Sequence, residues 1–136
     1  MKEIEMRMFN PALLAYIGDA VYELFIRTYL IGEGCLVAGE LHKRAIGFVE
    51  AKSQARIVEK IFGLLTNEEK LVVKRGRNTK TSNTPKNAKI IEYKYATGFE
   101  SLIGYLYLNN QIERLIEILK IIPTLYGMLY NKIQDI

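Results

Sequence analysis

The sequence predicts an all-α domain. Apolar residues recur at helical spacing through most of the chain, capping signals stand where helices should begin, and alternating strand-like patterns are weak throughout. At 136 residues the chain fits one globular domain of ordinary size, spanning 1–136, with enough apolar sequence for a core.

Asn10-Pro11 offers an N-cap followed by proline at the first helical position, where the missing N–H does no harm. Leu14, Ile17, Val21, Leu24 and Phe25 then form an apolar stripe, and Gly32 and Gly34 mark the end of that helix. A second helix is expected from about Val37 to Phe48 and a third from about Ala51 to Leu65, with Leu41, Ala45, Phe48, Ile57, Ile61 and Leu64 turned inward. Thr66 and Glu69 have the spacing of a capping box and open a short helix to about Lys74. A long helix is expected from about Asn87 to Leu108, then one from Gln111 to Ile121 with Asn110 as its cap, and a last one after Pro123. The first and fifth helices are too apolar for a simple four-helix bundle and need a large internal face.

One cysteine, Cys35, excludes an intrachain disulfide and a thiolate zinc cluster, which suits a reducing cytoplasm. One histidine, His42, excludes paired imidazoles and a histidine-rich metal site within the chain. Neither residue is given a role. The N-terminus does not read as a targeting segment, and the apolar stretch from Leu115 to Tyr130 is interrupted by Glu117, Lys120 and Pro123, so no membrane span is expected.

The net charge of +4 is unevenly distributed. Between Lys74 and Lys94 the chain carries seven basic residues against Glu92 alone, and the rest is slightly acidic. The segment KRGRNTKTSNTPKN, rich in small polar residues, is expected to be a loop whose Lys74, Arg75, Arg77, Lys80 and Lys86 meet phosphate oxygens; a merely solvated connection is the plainer reading. No aromatic residue is interleaved from Arg75 to Ile91, which favours contact with a duplex backbone over base stacking on single strands.

Two acids stand out. Asp19 lies in LLAYIGDAVYELF, where the helical face includes Ala12, Ala15, Tyr16 and Glu23 beside Gly18; Glu100 lies in YKYATGFESLIGYLYL, among Ala96, Thr97 and Gly104. An ionised carboxylate buried in such a helix costs several kcal/mol (order of magnitude) without a partner. If the two helices cross at their small residues, Asp19 and Glu100 converge and become a site for a divalent cation. Oxygen ligands select a hard ion, magnesium or manganese, which suits hydrolysis of a phosphodiester. Taken singly, each acid is more simply a surface carboxylate paired with a base such as Arg27.

IGDAVYELFIR resembles the signature helix of the ribonuclease III endonuclease domain, and ATGFESLIGYLYL resembles its second metal-binding helix. With RGRNTK and TPKN the resemblance covers nearly the whole chain and is closest to Mini-ribonuclease III, the branch without a double-stranded-RNA-binding domain. It implies a ribonuclease III-like catalytic domain that works as a cytoplasmic homodimer, cuts double-stranded RNA with Mg2+ (or Mn2+ as substitute), and leaves 5′-phosphate and 3′-hydroxyl ends. It further implies maturation of both ends of the 23S ribosomal RNA precursor, with room for a ribosomal-protein helper.

By position, Asp19 matches the catalytic aspartate and Glu100 the metal-binding glutamate. Ala12, Ala15 and Thr97 stand where full-length ribonucleases III usually carry further acids, so fewer protein ligands would hold the metal. Glu23 reads as a supporting or surface residue. Tyr22, Phe25 and Tyr29 offer apolar surface for a dimer, although core packing accounts for most such residues. The competing readings are a non-catalytic RNA-binding or ribosome-associated module that keeps the fold and, more weakly, a helical protein-interaction adaptor.

Overall fold

The computed structural model describes residues 9–79 and 89–134, with side chains through 125. Among the described residues there is no strand. The helices are α1 (Pro11–Gly32), α2 (Ala38–Val49), α3 (Ala51–Ile61), α4 (Asn67–Arg77), α5 (Ile90–Leu108) and α6 (Ile112–Gln134), with a 3-10 turn at Phe62–Leu64 after α3.

Local chemistry sets the boundaries. Asn10 Oδ1 accepts the Ala12 amide at 2.9 Å and Pro11 occupies the first turn of α1. The helix stops where Gly34 adopts φ +97° and the Cys35 amide turns back to the Leu30 carbonyl. At α4 the Glu69 amide donates to Thr66 Oγ1 and the Thr66 amide donates to Glu69 Oε1, completing the capping box.

The basic segment differs from its expected form. Lys74, Arg75 and Arg77 form the last turn of α4 rather than a loop, and α5 begins at Ile90 rather than Asn87. Gly76, which reads as a breaker in sequence, fits helically because a Cβ there would come within 2.8 Å of Ser101 Cβ and 2.9 Å of Gly98 Cα on α5. Cations in a last helical turn also face the negative end of the helix dipole.

Two further boundaries move. The third helix closes at Ile61 and passes into the 3-10 turn, leaving Leu64 62% exposed instead of in the core. Helix α6 runs unbroken through Pro123, whose missing N–H removes one internal bond without ending the helix. Asn110 adopts φ 57° and closes α5, with the Gln111 amide donating to the Leu106 carbonyl; it does not cap α6.

Helix α5 is the axis of the molecule, packed by α1, α3 and α4. Leu14, Tyr22, Ile26 and Leu30 of α1 and Phe99, Leu102, Ile103 and Leu106 of α5 are essentially inaccessible. Each such side chain contributes about 1.5–3 kcal/mol by leaving water. The Tyr22 ring meets Phe99 edge-on at 4.9 Å, and its hydroxyl donates to the Phe48 carbonyl of α2 at 3.1 Å. Tyr22 is thus a core residue and offers no dimer surface, while Phe25 and Tyr29 are half-buried. Leu24, expected in the inward stripe, is 68% exposed.

Candidate active site

The site begins with two glycines. A Cβ on Gly18 would overlap the Glu100 carbonyl oxygen, and a Cβ on Gly104 would overlap the Leu14 carbonyl oxygen. Only glycine at both positions lets α1 and α5 touch backbone to backbone. The Ser101 hydroxyl ties the same crossing by donating to the Pro11 carbonyl at 3.0 Å.

That contact brings Asp19 and Glu100 within hydrogen-bond reach of each other. Asp19 stands exposed on α1, not buried as its apolar helix suggested, and Glu100 is half-buried on α5. Burial, the Asp19 charge, a hydrogen bond with Asp19 and the more distant Glu23 charge, in that order, push the Glu100 carboxyl up to about 8. Near neutral pH Glu100 therefore keeps its proton. A divalent cation offers the same relief with two positive charges, and an all-oxygen donor set suits a hard ion such as magnesium or manganese.

The other candidates around the pair do not join it. Exposed Arg27 pairs with half-buried Glu23 at 3.4 Å rather than with Asp19. Thr97 is buried, and its hydroxyl donates to the Tyr93 carbonyl at 2.9 Å. Ala12 and Ala15 carry no ligating atom. Among the described residues no group of three or more His, Cys, Asp or Glu side chains is arranged to hold a metal. Two carboxylates would be the protein's direct share, with water or phosphate oxygens completing the shell.

The cations fan out around the end of α4. Arg75 Nη2 donates to the Phe9 carbonyl at 3.3 Å, at the entry to the helix that carries Asp19. Lys74 is exposed, with its ammonium 5.9 Å from the centre of the Phe62 ring. The Arg77 guanidinium lies over the Tyr95 ring at 5.5 Å. Lys80 and Lys86 lie outside the described residues.

Two features escaped the sequence reading. The Arg77–Tyr95 stack joins residues eighteen positions apart, and no linear pattern announces it. Leu13, Tyr16, Leu24 and Ile31 are 54%, 78%, 68% and 50% exposed on the outward side of α1. Their spacing of three, eight and seven residues keeps them on one helical face, but it merges with the inward stripe of the same apolar helix.

A family model described as Ribonuclease III domain matches residues 12–111. The chain is 51% identical over 125 residues to a Mini-ribonuclease 3 of Clostridium tetani, an alignment covering 90% of this chain and 82% of that one. It is 49% identical over 112 residues to a Mini-ribonuclease 3 of Thermoanaerobacter sp., covering 82% and 79%. Among solved structures, the crystal structure of protein FN1578 from Fusobacterium nucleatum is similar at a TM-score of 0.79 and 35% identity, over 88% of this chain and 96% of that one.

Proposed function

The chain belongs to the ribonuclease III domain family, in its Mini-ribonuclease 3 branch, and on that premise we propose that it is a metal-dependent endoribonuclease hydrolysing double-stranded RNA to 5′-phosphate and 3′-hydroxyl ends. The observation that carries the reading is the convergence of Asp19 and Glu100 across the Gly18–Gly104 contact, in a geometry that raises the Glu100 carboxyl and that a cation would relieve.

Asp19 and Glu100 would hold the ion, Mg2+ with Mn2+ as substitute, each through a carboxylate oxygen. When bound, such an ion supplies an activated water and neutralises charge that develops on the phosphodiester. Glu100 would have to give up its proton to hold such an ion, and Asp19, being exposed, stands where an RNA strand can reach it. Lys74, Arg75 and Arg77, with Lys80 and Lys86, would hold phosphates by charge and shape rather than by base sequence.

Residues 1–136 are read as one catalytic domain that pairs into a homodimer. The outward apolar stripe of Leu13, Tyr16, Leu24 and Ile31 supports pairing, since it runs along the helix that bears Asp19 and a two-fold arrangement would offer one site to each strand of a duplex. Among the described residues no helix is long and apolar enough to cross a membrane. A cytoplasmic setting, the 23S ribosomal RNA precursor as substrate and a ribosomal-protein helper belong to the same proposal and rest on the family resemblance.

The test compares wild type and Glu100→Gln on a labelled RNA duplex and on its separated strand, each with magnesium and with chelator. Duplex-only, magnesium-dependent cutting that Glu100→Gln loses while it stays folded is the expected result. Binding of the duplex without cutting by wild type, in either metal, would turn the reading to the non-catalytic RNA module, which the commitment of the Thr97 hydroxyl to a backbone carbonyl favours.

A further inference from the structure

A second surface lies on the far flank of α5. At about 100° per residue, Tyr95 and Ile91 point roughly 140–180° away from Glu100. They form one wall of a groove of about 390 Å³, whose other wall is Lys52, Arg56 and Glu59 of α3, with Glu92 at its edge. That is at the lower end of the ~300–1,000 Å³ typical of small-ligand sites.

The lining is unusual in three respects. Lys52 and Arg56 are exposed and form no ion pair among the described residues, although Glu59 and Glu92 line the same groove. Ile91 is 61% exposed and leaves an apolar patch in water. Arg77 already lies over the ring of Tyr95, so the aromatic group absent from the basic segment in sequence is supplied by α5 in space.

We propose that this groove binds a short single-stranded stretch of RNA flanking the duplex that the enzyme cuts. The inference rests on the RNA reading above and adds a substrate feature to it. A ring with an adjoining apolar patch suits the face of an unpaired base. Lys52 and Arg56 suit one or two phosphates. Glu59 and Glu92 would repel the dense phosphate rows of a duplex, yet they are acceptors for the amino groups on exposed base edges. An acidic peptide would use the cations but meet the two carboxylates with nothing to donate.

The experiment measures fluorescence anisotropy of a labelled short single-stranded RNA with wild type, with Lys52→Gln/Arg56→Gln and with Tyr95→Leu, beside cutting of a blunt duplex and of the same duplex bearing a single-stranded extension. Lys52→Gln/Arg56→Gln should bind the single strand about tenfold more weakly, and Tyr95→Leu about fivefold or more. Blunt-duplex cutting by Lys52→Gln/Arg56→Gln should stay within about twofold of wild type, because the groove is remote from Glu100. The advantage of the extended duplex should disappear in the same variant. Because Lys52 and Arg56 are exposed, that variant decides the matter even if Tyr95→Leu melts early. Unchanged single-strand affinity in Lys52→Gln/Arg56→Gln overturns the proposal, as does displacement of the RNA by a polyglutamate peptide of equal affinity, which would make the groove an acidic-protein surface. Failure of wild type to cut any duplex would instead overturn the nuclease reading, and the binding comparison would still decide what the groove holds.

Discussion

Two carboxylates in this molecule show how partners decide which way an acid withdrawn from water shifts. Glu69, at the start of α4, is 3% exposed, and Glu100 lies half-buried at the crossing of α1 and α5. Burial pushes both upward, yet Glu69 ends below its ordinary value and Glu100 rises to about 8. The Arg114 side chain of α6 meets Glu69 with two hydrogen bonds of 2.9 Å, and the Thr66 amide adds a third at 2.9 Å. Arg114 also donates to the Leu64 carbonyl at 2.9 Å, so α4, the 3-10 turn and α6 are locked by one guanidinium. Glu100 meets Asp19 and the field of Glu23 instead. One region balances its charges internally, and the other leaves them for something from outside to balance.

Removing the balancing group should have the largest effect. Arg114→Met leaves the Glu69 carboxylate buried with only the capping contact, and should cost about 3 kcal/mol of stability in a denaturant titration. A loss below about 1 kcal/mol would mean that the pair behaves like an exposed salt bridge and that the contrast with Glu100 is one of degree.

The next effect runs in opposite directions with pH. Glu69 binds its proton less readily in the folded chain than when unfolded, so its contribution is present above about pH 4.5 and is lost as pH falls. Glu100 holds its proton to about 8 when folded and releases it near 4.5 when unfolded, so it withdraws stability as pH rises through that window. Thermal melts without metal should decline by a few degrees between about pH 5 and pH 8. Magnesium should restore the loss at pH 8 with release of a proton, and Asp19→Asn should reduce the pH-dependent loss. A magnesium-insensitive melting temperature at pH 8 would separate the carboxylate pair from metal binding.

The sequence made one of these regions more legible than the other. Asp19 and Glu100 stood beside Gly18 and Gly104, so small residues and lone acids in apolar helices predicted both the crossing and the convergence. The Thr66–Glu69 box was equally plain, because its chemistry is local. Arg114 was invisible as its partner, since a contact across 45 positions leaves no period to read. Gly76 misled for the opposite reason: its local signal says breaker, but close packing on Gly98 and Ser101 retains it in a helix. Leu24 and Leu64 misled because a helix that is apolar nearly all round does not say which side faces in.

The smallest effect concerns a cation rather than an acid. Arg114 spends its donors on carboxylates and a carbonyl, whereas Arg77 has an aromatic ring and, among the described residues, no carboxylate partner. A guanidinium left in that state keeps its donors for phosphate. Arg77→Ala should therefore weaken RNA-duplex binding modestly at low salt and flatten the log–log salt dependence by roughly 0.7–0.9 for the one lost contact, with the melting temperature unchanged. Titrating blunt and single-strand-extended duplexes in parallel locates that contact. A slope that changes on both assigns Arg77 to the duplex backbone; a slope that changes only with the extension assigns it to the groove beside Tyr95, and leaves duplex binding to the other cations of the basic segment.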